Sequence, residues 1–219
     1  MTVTVIVPTF NEEENIGILI DQIRKYNYEI IVCDDGSTDN TREIVKEKKV
    51  TLVDRHRCKV KGLTAAVLDS FDYVETDKAI IMDADFQHPT KKLPELERKL
   101  DSFDLVVGSR KSIPEWSISR RIISIGANFL ARFRLFIVNK DFKDPMSGFF
   151  GIKTKLMNKI IKKHKKDFVG TGFKILFEAV KFAPRKIKIG YVKYVFGKRT
   201  RGKSKISKKH FVSLLKSLR

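Results

Sequence analysis

Short apolar segments alternate with amphipathic segments over the first half of this chain. The apolar segments are rich in β-branched side chains, which is typical of buried strands, whereas the segments between them repeat apolar residues every three or four positions, as helices do. This alternation predicts a mostly parallel sheet covered by helices on both faces, with ligands at the carboxyl ends of the strands. The predicted strands are residues 2–7, 29–33, 50–53, 78–82 and 105–108.

The predicted helices lie between these strands. The first has Asn11 as its N-cap, with Glu14 three residues later as in a capping box. The hydroxyl groups in the turn at residues 34–39 are expected to cap the second helix. Two further helices are predicted at residues 62–71 and 91–100.

The composition is that of a globular protein, since 42% of the 219 residues are hydrophobic. Cys33 and Cys58 form no CxxC pair, and the first residues do not resemble a signal peptide, so we expect a reducing, cytoplasmic setting. A spanning helix needs about 18 uninterrupted apolar residues. The most apolar stretch, residues 122–138, is interrupted by Arg132 and Arg134, so the sequence as given is expected not to cross a membrane.

Positive charge is concentrated in the last third of the chain. Residues 1–150 carry 23 Lys and Arg against 24 Asp and Glu, whereas residues 151–219 carry 22 against 2. A block of this kind binds polyanions such as nucleic acid, anionic lipid head groups or phosphorylated substrates. The alternative is a solvated, Lys-rich surface of a heat-adapted or halotolerant protein.

Polar side chains follow directly after four of the predicted strands. Asp83 and Asp85 lie one residue apart where the fourth strand ends, so both can face one hard divalent ion, Mg²⁺ or Mn²⁺. A polar turn without metal is the alternative for an isolated Asp-x-Asp pair. Neither Gly-x-Gly-x-x-Gly nor a phosphate-loop motif is present, so the sequence supports neither a dinucleotide-binding fold nor a phosphate-loop nucleotidase.

Six short motifs follow one another along the chain. They are Pro-Thr-Phe-Asn-Glu at 8–12, Asp-Asp-Gly-Ser-Thr-Asp at 34–39, Asp-Ala-Asp-Phe-Gln-His-Pro at 83–89, Gly-Ser-Arg at 108–110, Asp-Pro-Met-Ser-Gly-Phe-Phe at 144–150 and Arg-x-x-Gly-x-Ser-Lys at 199–205. In this order they resemble the motifs of glycosyltransferase family 2 and, more narrowly, those of the polyprenyl (dolichyl) phosphate mannosyltransferases. The resemblance covers residues 1–206, and the order of the motifs makes it specific although each motif alone is weak.

The resemblance implies an α/β fold of the GT-A type, with a Rossmann-like, mostly parallel sheet and a catalytic domain over residues 1–206. Residues 207–219 are then a basic amphipathic tail, either a helix on the membrane surface or the start of a membrane extension of the kind that many relatives have. The implied reaction is a metal-dependent transfer of mannose from GDP-mannose to a polyprenyl (dolichyl) phosphate, with inversion.

The donor site implied by the resemblance lies mainly at the ends of the first, second, fourth and fifth predicted strands. The implied metal ligands are Asp83, Asp85 and Gln87. Phe10 stands where family members commonly have Tyr, so stacking is retained without a hydroxyl contact; a buried core aromatic is the alternative. The full implied set for the nucleotide sugar is Pro8, Phe10, Glu12, Cys33, Asp35, Asp83, Ala84, Asp85, Gln87, Arg110, Arg199 and Lys205.

The acceptor site implied by the resemblance needs cations rather than a base. A lipid phosphate is already anionic, so its oxygen can attack the sugar directly once cations bring the two anions together. Arg120 and Ser124 lie one helical turn apart and match the family's phosphate-holding pair, with Arg121 as the alternative to Arg120. The implied catalytic residues are Asp85, Arg110 and Arg120, and the implied acceptor residues are Arg110, Arg120, Ser124, Asp144 and Ser147.

Two apolar stripes offer contacts to a membrane surface. The first is formed by residues at helical spacing and is edged by arginines, so this helix could lie in the bilayer interface or could cover the sheet. The second lies in the basic tail. Together they predict a protein at the cytoplasmic face of a membrane. The stripes are Ile122, Ile125, Phe129, Phe133 and Phe136, and then Phe211, Leu214, Leu215 and Leu218.

Two other functions remain open from the sequence. The same fold could use UDP-glucose or another nucleotide sugar with the same lipid acceptor. A non-enzymatic, basic nucleic-acid-binding module is the third possibility, with Tyr191, Tyr194 and Phe196 as aromatic platforms. That third function leaves the acidic strand ends unexplained, so no nucleic acid partner is expected.

Overall fold

The computed structural model describes residues 3–112, 118–137, 142–172, 174–197 and 217. Side chains are described for these residues except 112, 118–125 and 127. The elements in chain order are β1 (Val3–Thr9), α1 (Glu13–Arg24), β2 (Glu29–Asp34), α2 (Thr41–Glu47), β3 (Thr51–Asp54), α3 (Leu63–Ser70), β4 (Lys78–Ile81), α4 (Leu93–Leu100), β5 (Leu105–Ser112), α5 (Ile118–Ile137), β6 (Phe150–Lys153), α6 (Thr154–His164), α7 (Ile175–Phe182) and β7 (Ile189–Val195).

The strands form one seven-stranded sheet in the order β3-β2-β1-β4-β6-β5-β7. All neighbouring pairs are parallel except those of β6, which runs antiparallel to both β4 and β5. The predicted mostly parallel sheet is therefore confirmed. Because β6 reverses the direction on both sides of it, β4 and β5 remain parallel to each other, and their carboxyl ends lie at the same edge.

Hydrophobic side chains pack on both faces of the sheet, because successive strand residues point to opposite sides. Ile6 and Ile81 belong to the cluster that includes residues of α3, α6 and α7. Their neighbours Val5 and Ile80 belong to the other cluster, with residues of α1 and α4. All seven residues of β1 are buried, which explains why the central strands have almost uninterrupted apolar sequences.

The start of α1 differs from the prediction that Asn11 caps it. The helix begins at Glu13, its N-cap is Glu12, and Asn11 adopts a positive φ of 53° in the turn before it. The Asn11 side chain instead accepts a hydrogen bond from the N–H of Thr38 at 2.8 Å. The start of α2 and the residue before its N-cap supply the cap, because the N–H of Glu12 donates to the Thr41 hydroxyl at 2.8 Å and the N–H of Glu13 donates to Asp39 at 3.2 Å.

The predicted hydroxyl cap of α2 is also wrong. The N-cap of α2 is Asn40, and its side chain makes no capping hydrogen bond. The Ser37 hydroxyl instead accepts a hydrogen bond from the N–H of Asn11 at 2.8 Å. The N–H of Thr41 donates to Asp39, so a carboxylate takes the place expected for a hydroxyl.

Helix α5 exposes the aromatic part of its apolar stripe. Ala131 and Leu135 are buried against the protein, whereas Phe129, Phe133 and Phe136 are 67%, 56% and 72% exposed. These three rings therefore do not cover the sheet, which was one of the two alternatives for the stripe.

Among the helices that the structure describes, none combines the length and the apolar character of a membrane-spanning segment.

A buried ionisable pair lies where α7 begins. Lys174 and Glu178 are each 1% exposed, and the Lys174 ammonium donates to the carbonyl of Thr171 at 2.8 Å. One carboxylate oxygen of Glu178 accepts from the N–H of Val169 at 2.9 Å, while the other has no hydrogen-bond partner among the described residues. Burial raises the pKa of Glu178 to about 7.

We expect Glu178→Gln to remove a pH-dependent loss of stability. The pKa of Glu178 is about 7 in the folded protein against an ordinary value of 4.5, so its protonated form favours folding, and this stabilisation is lost as pH rises from 4.5 to 7. The loss is on the order of 3 kcal/mol across that window. Thermal unfolding between pH 5 and pH 8 should therefore show a smaller fall in Tm for the variant. The exposed Glu47→Gln serves as the control, and an equal fall in Tm for Glu178→Gln and the wild type contradicts the assignment.

Candidate active site

The polar strand ends predicted from the sequence meet at one edge of the sheet. Strands β1, β2, β4 and β5 all end there, because they run in the same direction. The loop from Asp144 to Gly148, which leads into β6, comes to the same edge through an ion pair between Asp144 and Arg110. The structure therefore brings together the residues predicted for donor, metal and acceptor wherever it describes their side chains.

Asp34 organises the loop that follows β2. Its side chain is fully buried and accepts hydrogen bonds from the N–H groups of Gly36 at 3.1 Å and Ser37 at 2.8 Å. It also accepts from the hydroxyl of Thr9 at the end of β1, at 3.2 Å. Asp34 thus holds two strand ends in register. It leaves the next residue, Asp35, to face the predicted donor site.

Asp35 is held on both of its carboxylate oxygens. One oxygen pairs with the guanidinium of Arg55, and the other accepts from the N–H of Gly62 at 2.6 Å. Arg55 is 3% exposed and also donates to Asp69 at 2.8 Å and to the carbonyl of Val60 at 2.7 Å. Burial raises the pKa of Asp35 above its ordinary value, although Arg55 and Gly62 act in the opposite direction. This carboxylate is fixed in position before any ligand arrives.

Gly62 can hold Asp35 because it has no side chain. Its φ is 141°, and a Cβ atom on it would lie 2.8 Å from the backbone of Thr171 and Gly172. The loop before α7 also caps α3, because the N–H groups of Thr64 and Ala65 donate to the carbonyls of Gly172 and Gly170. The segment before α7 therefore supports the Asp35 pocket from outside.

The loop after β4 carries the predicted metal ligands Asp83, Asp85 and Gln87. Phe86 adopts a positive φ of 61°, which turns the chain sharply, and the N–H of Gln87 donates to the Asp85 carboxylate at 3.1 Å. The Gln87 side chain donates to the carbonyl of Gly197 at 3.3 Å, and the Gly197 N–H returns a bond to Gln87 at 3.0 Å. The end of β7 is therefore joined to this loop.

His88 supports the same loop from the protein interior. Its Nδ1 accepts a hydrogen bond from the N–H of Asp83 at 3.0 Å, and its ring stacks on Phe149 at 5.0 Å. Burial, with Arg110 nearby, lowers the pKa of His88 to about 3, so the imidazole is neutral. These contacts give His88 the part of ordering the loop.

The donor atoms at this loop fit a hard divalent cation. Asp83 and Asp85 supply carboxylate oxygens and Gln87 supplies an amide oxygen, which are the ligands that Mg²⁺ and Mn²⁺ take in proteins. Among the described residues no cluster of three or more Asp, Glu, His or Cys side chains could hold a metal by itself. An ion at this loop would thus complete its coordination with water and with oxygen atoms of a bound phosphate, as Mg²⁺ commonly does.

Arg110 and Asp144 form a bidentate ion pair. The distances between their nitrogen and oxygen atoms are 3.2 Å and 2.9 Å, and the two side chains are 12% and 13% exposed. The guanidinium also lies 5.7 Å from the ring centroid of Phe196. A planar pair of this kind is strong and directional, so the Arg110 side chain is held in a defined position at the sheet edge.

Two loops of the site are in contact through Ser147 and Gly148. One is the loop at residues 144–148, here called the acceptor loop, and the other is the loop at residues 83–88, here called the metal loop. The Ser147 hydroxyl donates to the carbonyl of Gly108 at 2.8 Å, which ties the loop to β5. A Cβ atom on Gly148 would lie 3.1 Å from a carboxylate oxygen of Asp83, so glycine allows this close approach. The Ser147 hydroxyl proton is therefore used within the protein, and its predicted contact with an acceptor phosphate stays a prediction.

The other predicted donor residues surround the same edge. Phe10 is 43% exposed, so it is not a buried core aromatic. Glu12 is buried and accepts from Asn15 at 2.8 Å. Pro8, Cys33 and Ala84 are buried in the strands or just after them, and burial raises the pKa of the Cys33 thiol to about 12. Arg120 and Ser124 lie in α5 with side chains that are not described, and Arg199 and Lys205 lie outside the described residues.

Arg55 is a residue of the site that the sequence analysis did not predict. It follows β3 by one position, so the rule that strand ends carry ligands could have identified it. Tyr194 and Phe196 were expected as exposed platforms if the chain bound nucleic acid, but they are only 3% and 8% exposed. Tyr194 becomes part of the site through the pairing of β7 with β5, which no motif indicates.

The sequence matches the family described as Glycosyl transferase family 2 over residues 4–161. The dolichol-phosphate mannosyltransferase of Pyrococcus furiosus is 35% identical over 229 residues, covering all of this chain and 63% of that protein. The dolichol-phosphate mannosyltransferase of Saccharomyces cerevisiae is 32% identical over 237 residues, covering 99% of this chain and 85% of that protein. The chain thus spans less than two thirds of the length of the Pyrococcus relative.

Solved structures show the same fold. Glucosyl-3-phosphoglycerate synthase from Mycobacterium tuberculosis, in complex with Mn²⁺, UDP and glucosyl-3-phosphoglycerate, matches 92% of this chain and 73% of its own with a TM-score of 0.68 at 24% identity. The same protein with Mn²⁺, UDP-glucose and phosphoglyceric acid gives a TM-score of 0.70 at 22% identity over 99% of this chain and 79% of its own. These likenesses confirm the predicted GT-A type of α/β fold.

The motifs, the sheet and these comparisons agree with one another. The ordered motifs lie at one edge of the sheet wherever they are described, and the family match covers most of the chain. The resemblance seen in the sequence is therefore confirmed. The chain belongs to glycosyl transferase family 2.

Proposed function

We propose that this chain transfers mannose from GDP-mannose to a polyprenyl (dolichyl) phosphate at the cytoplasmic face of a membrane. The observation that carries this proposal is the contact between two loops, in which Gly148 of the predicted acceptor loop packs directly against Asp83 of the predicted metal loop. A donor diphosphate and an acceptor phosphate held by these loops would lie side by side. The names of the curated relatives support the choice of sugar and lipid.

The donor end of the site offers a fixed carboxylate for the base. Arg55 and Gly62 hold Asp35 in place, so a base that donates N–H groups meets an acceptor that needs no rearrangement. Guanine presents two adjacent N–H donors on its Watson–Crick edge, and uracil presents one. A carboxylate with two oxygens therefore suits guanine well. Phe10 supplies an exposed ring that a base or ribose can pack against.

The metal loop would hold a divalent ion through Asp83, Asp85 and Gln87. When bound, the ion supplies positive charge that offsets the charge growing on the departing diphosphate. The protein contributes a loop already shaped by His88 and by the Phe86 turn. Little reorganisation is then needed at this loop during the reaction.

The acceptor end needs no general base. The phosphate oxygen attacks the anomeric carbon of the sugar, the bond from that carbon to the diphosphate breaks, and the bonding electrons leave with the diphosphate. Arg110 lies at the end of β5, where its guanidinium can bind a phosphate oxygen. A single displacement from one face inverts the anomeric configuration.

Helix α5 offers a surface for the membrane that carries the lipid. Phe129, Phe133 and Phe136 are exposed together on one side of it, and the exposed Arg132 lies between them in sequence. Aromatic rings with a nearby cation are typical of helices that lie in the interface of an anionic bilayer. The excess of Lys and Arg after residue 150 adds attraction of about 1 kcal/mol for each charge close to the surface.

A second donor is supported by one specific observation. Two of the solved structures that share this fold contain UDP or UDP-glucose. UDP-glucose with the same lipid acceptor is therefore the alternative, and it places the same demands on Asp85 and Arg110. A direct comparison of nucleotides separates the two donors.

We expect GDP with Mn²⁺ to raise the Tm by several degrees, and more than UDP or RNA does under the same conditions, because a ligand at 100 times its Kd adds about 2.7 kcal/mol of stability. Asp85→Ala should lose the Mn²⁺-dependent part of this shift and reduce sugar transfer by at least about 100-fold. The exposed Asp72→Ala is the control. A larger shift with UDP favours the alternative donor, and unchanged nucleotide binding and transfer in Asp85→Ala contradict the enzyme assignment.

The product is expected to have the β configuration when the donor sugar is α-linked. This follows from a single displacement in which no covalent sugar–enzyme intermediate forms. The one-bond carbon–hydrogen coupling at the anomeric position, measured by NMR on the purified lipid phosphate sugar, distinguishes the two anomers. An α-linked product rules out the single displacement.

We expect the protein to sediment with vesicles that contain phosphatidylserine and to be released by high salt. Replacing Phe129, Phe133 and Phe136 with serine should weaken sedimentation at least about tenfold, because three exposed rings no longer enter the interface. Ile18→Ser, which changes an exposed apolar residue of α1, is the matched control. Equal binding to neutral vesicles counts against the electrostatic part, and unchanged binding of the triple variant counts against α5.

A further inference from the structure

The hydroxyl of Tyr194 is buried beneath the acceptor end of the site without a hydrogen bond of normal geometry. The residue is 3% exposed, and among the described residues only the Ser147 side chain interacts with its hydroxyl oxygen, without a hydrogen bond of normal distance and angle. An unsatisfied polar atom in a packed interior is destabilising, and phenylalanine would fill the same space without that cost. We therefore expect the Tyr194 hydroxyl to form a hydrogen bond in another state of the protein.

The strand pairing places Tyr194 beside Arg110. The two residues are partners in the parallel pairing of β5 with β7. The Tyr194 ring packs edge-on against Phe149 at 5.3 Å and passes over Gly108, where a Cβ atom would lie 3.0 Å from the ring. The lack of a side chain at Gly108 thus allows this ring to lie under the site. Its hydroxyl is held there by a rigid aromatic group.

Three charged groups of the site act on this phenol. They are Arg110, Asp83 and Asp144. Burial, reinforced by the two carboxylates, holds the pKa of Tyr194 above its ordinary range, so the hydroxyl keeps its proton. Tyr194 is therefore available as a hydrogen-bond donor, and the groups near it that can accept are the carboxylates of Asp83 and Asp144 and the hydroxyl of Ser147.

The Arg110 guanidinium cannot bind the Asp144 carboxylate and a substrate phosphate equally well at the same time. In the structure both carboxylate oxygens of Asp144 are bonded to Arg110. If the guanidinium turns to a phosphate, Asp144 keeps its negative charge in a largely buried place and loses its counter-ion. Leaving one member of a buried pair without compensation is costly, so the site needs a second donor for Asp144.

We propose that Tyr194 is a positioning residue that donates a hydrogen bond to Asp144 when Arg110 turns from that carboxylate to a substrate phosphate. This rests on the proposed function only in taking the phosphate to be that of the lipid acceptor. Tyr194 touches no substrate in this scheme. It lowers the cost of separating Arg110 from Asp144, and it leaves the phenol unsatisfied only in the ligand-free state.

The test is Tyr194→Phe, which removes one oxygen atom and keeps the ring. Because that oxygen makes no hydrogen bond of normal geometry in the structure, the variant should fold with a Tm equal to or above that of the wild type. The KM for polyprenyl phosphate should rise about 10- to 100-fold, as expected for losing a hydrogen bond to a charged group, while the affinity for GDP with Mn²⁺ stays the same. Tyr73→Phe, at an exposed tyrosine, is the matched control.

A double-mutant cycle identifies Asp144 as the partner. In an Asp144→Ala background there is no carboxylate to satisfy, so adding Tyr194→Phe should cause no further rise in KM. A full additional rise in that background overturns the proposal, because it shows that the phenol acts on another group. Unchanged kinetics for Tyr194→Phe alone overturn it as well.

Binding of inorganic phosphate separates this proposal from the proposed function. If the wild type transfers no sugar to polyprenyl phosphate, the proposed function fails, and calorimetric titration with inorganic phosphate still decides about Tyr194. Weaker binding by Tyr194→Phe than by the wild type supports the proposal. Equal binding, or no binding by either protein, overturns it.

Discussion

Strand β1 is the constraint on which the other features of the site depend. All seven of its residues are buried, and it pairs with β2 on one side and β4 on the other. A strand buried on both faces has room for few polar side chains along its length, so most polar side chains collect where the strands end. Asp34 stabilises this edge, because its buried carboxylate accepts hydrogen bonds both from the end of β1 and from the loop after β2. Asp35 and the Asp83 loop then project from a rigid base.

The sequence was informative where local rules and global fold agree. Strand ends and apolar periodicity predicted the sheet and the places of Asp35, Asp83 and Arg110, since parallel strands deliver their ends to one edge. The sequence was less informative where the local structure depends on residues far away in the chain. The cap of α1 comes from Thr41 and Asp39, more than 25 residues later in the chain, and Asn11 adopts its positive φ in the turn before the helix. Tyr194 joins the site through a strand pairing that no local pattern encodes.

The charged groups of the site show how a protein of high net positive charge builds an acidic pocket. Asp35 and Asp144 are each paired with an arginine, and Asp34 is satisfied mainly by N–H and hydroxyl donors. Such partners allow carboxylates to stay charged with little exposure to water. The arginines of these pairs come from the first 150 residues, where the two signs of charge are nearly balanced, whereas the excess of positive charge lies after residue 150.

The position of β6 has a consequence for the order of assembly. Strands β1 to β4 and their helices come from residues 3–100, a contiguous stretch, whereas β5 cannot join that unit until β6 has inserted between them. Contacts between segments far apart in sequence form late, because closing long loops is entropically costly. The half that carries Asp35 and Asp83 can therefore emerge from the ribosome and begin to fold before the half with Arg110 and Tyr194 is attached. The candidate site is then complete only when the two halves have joined.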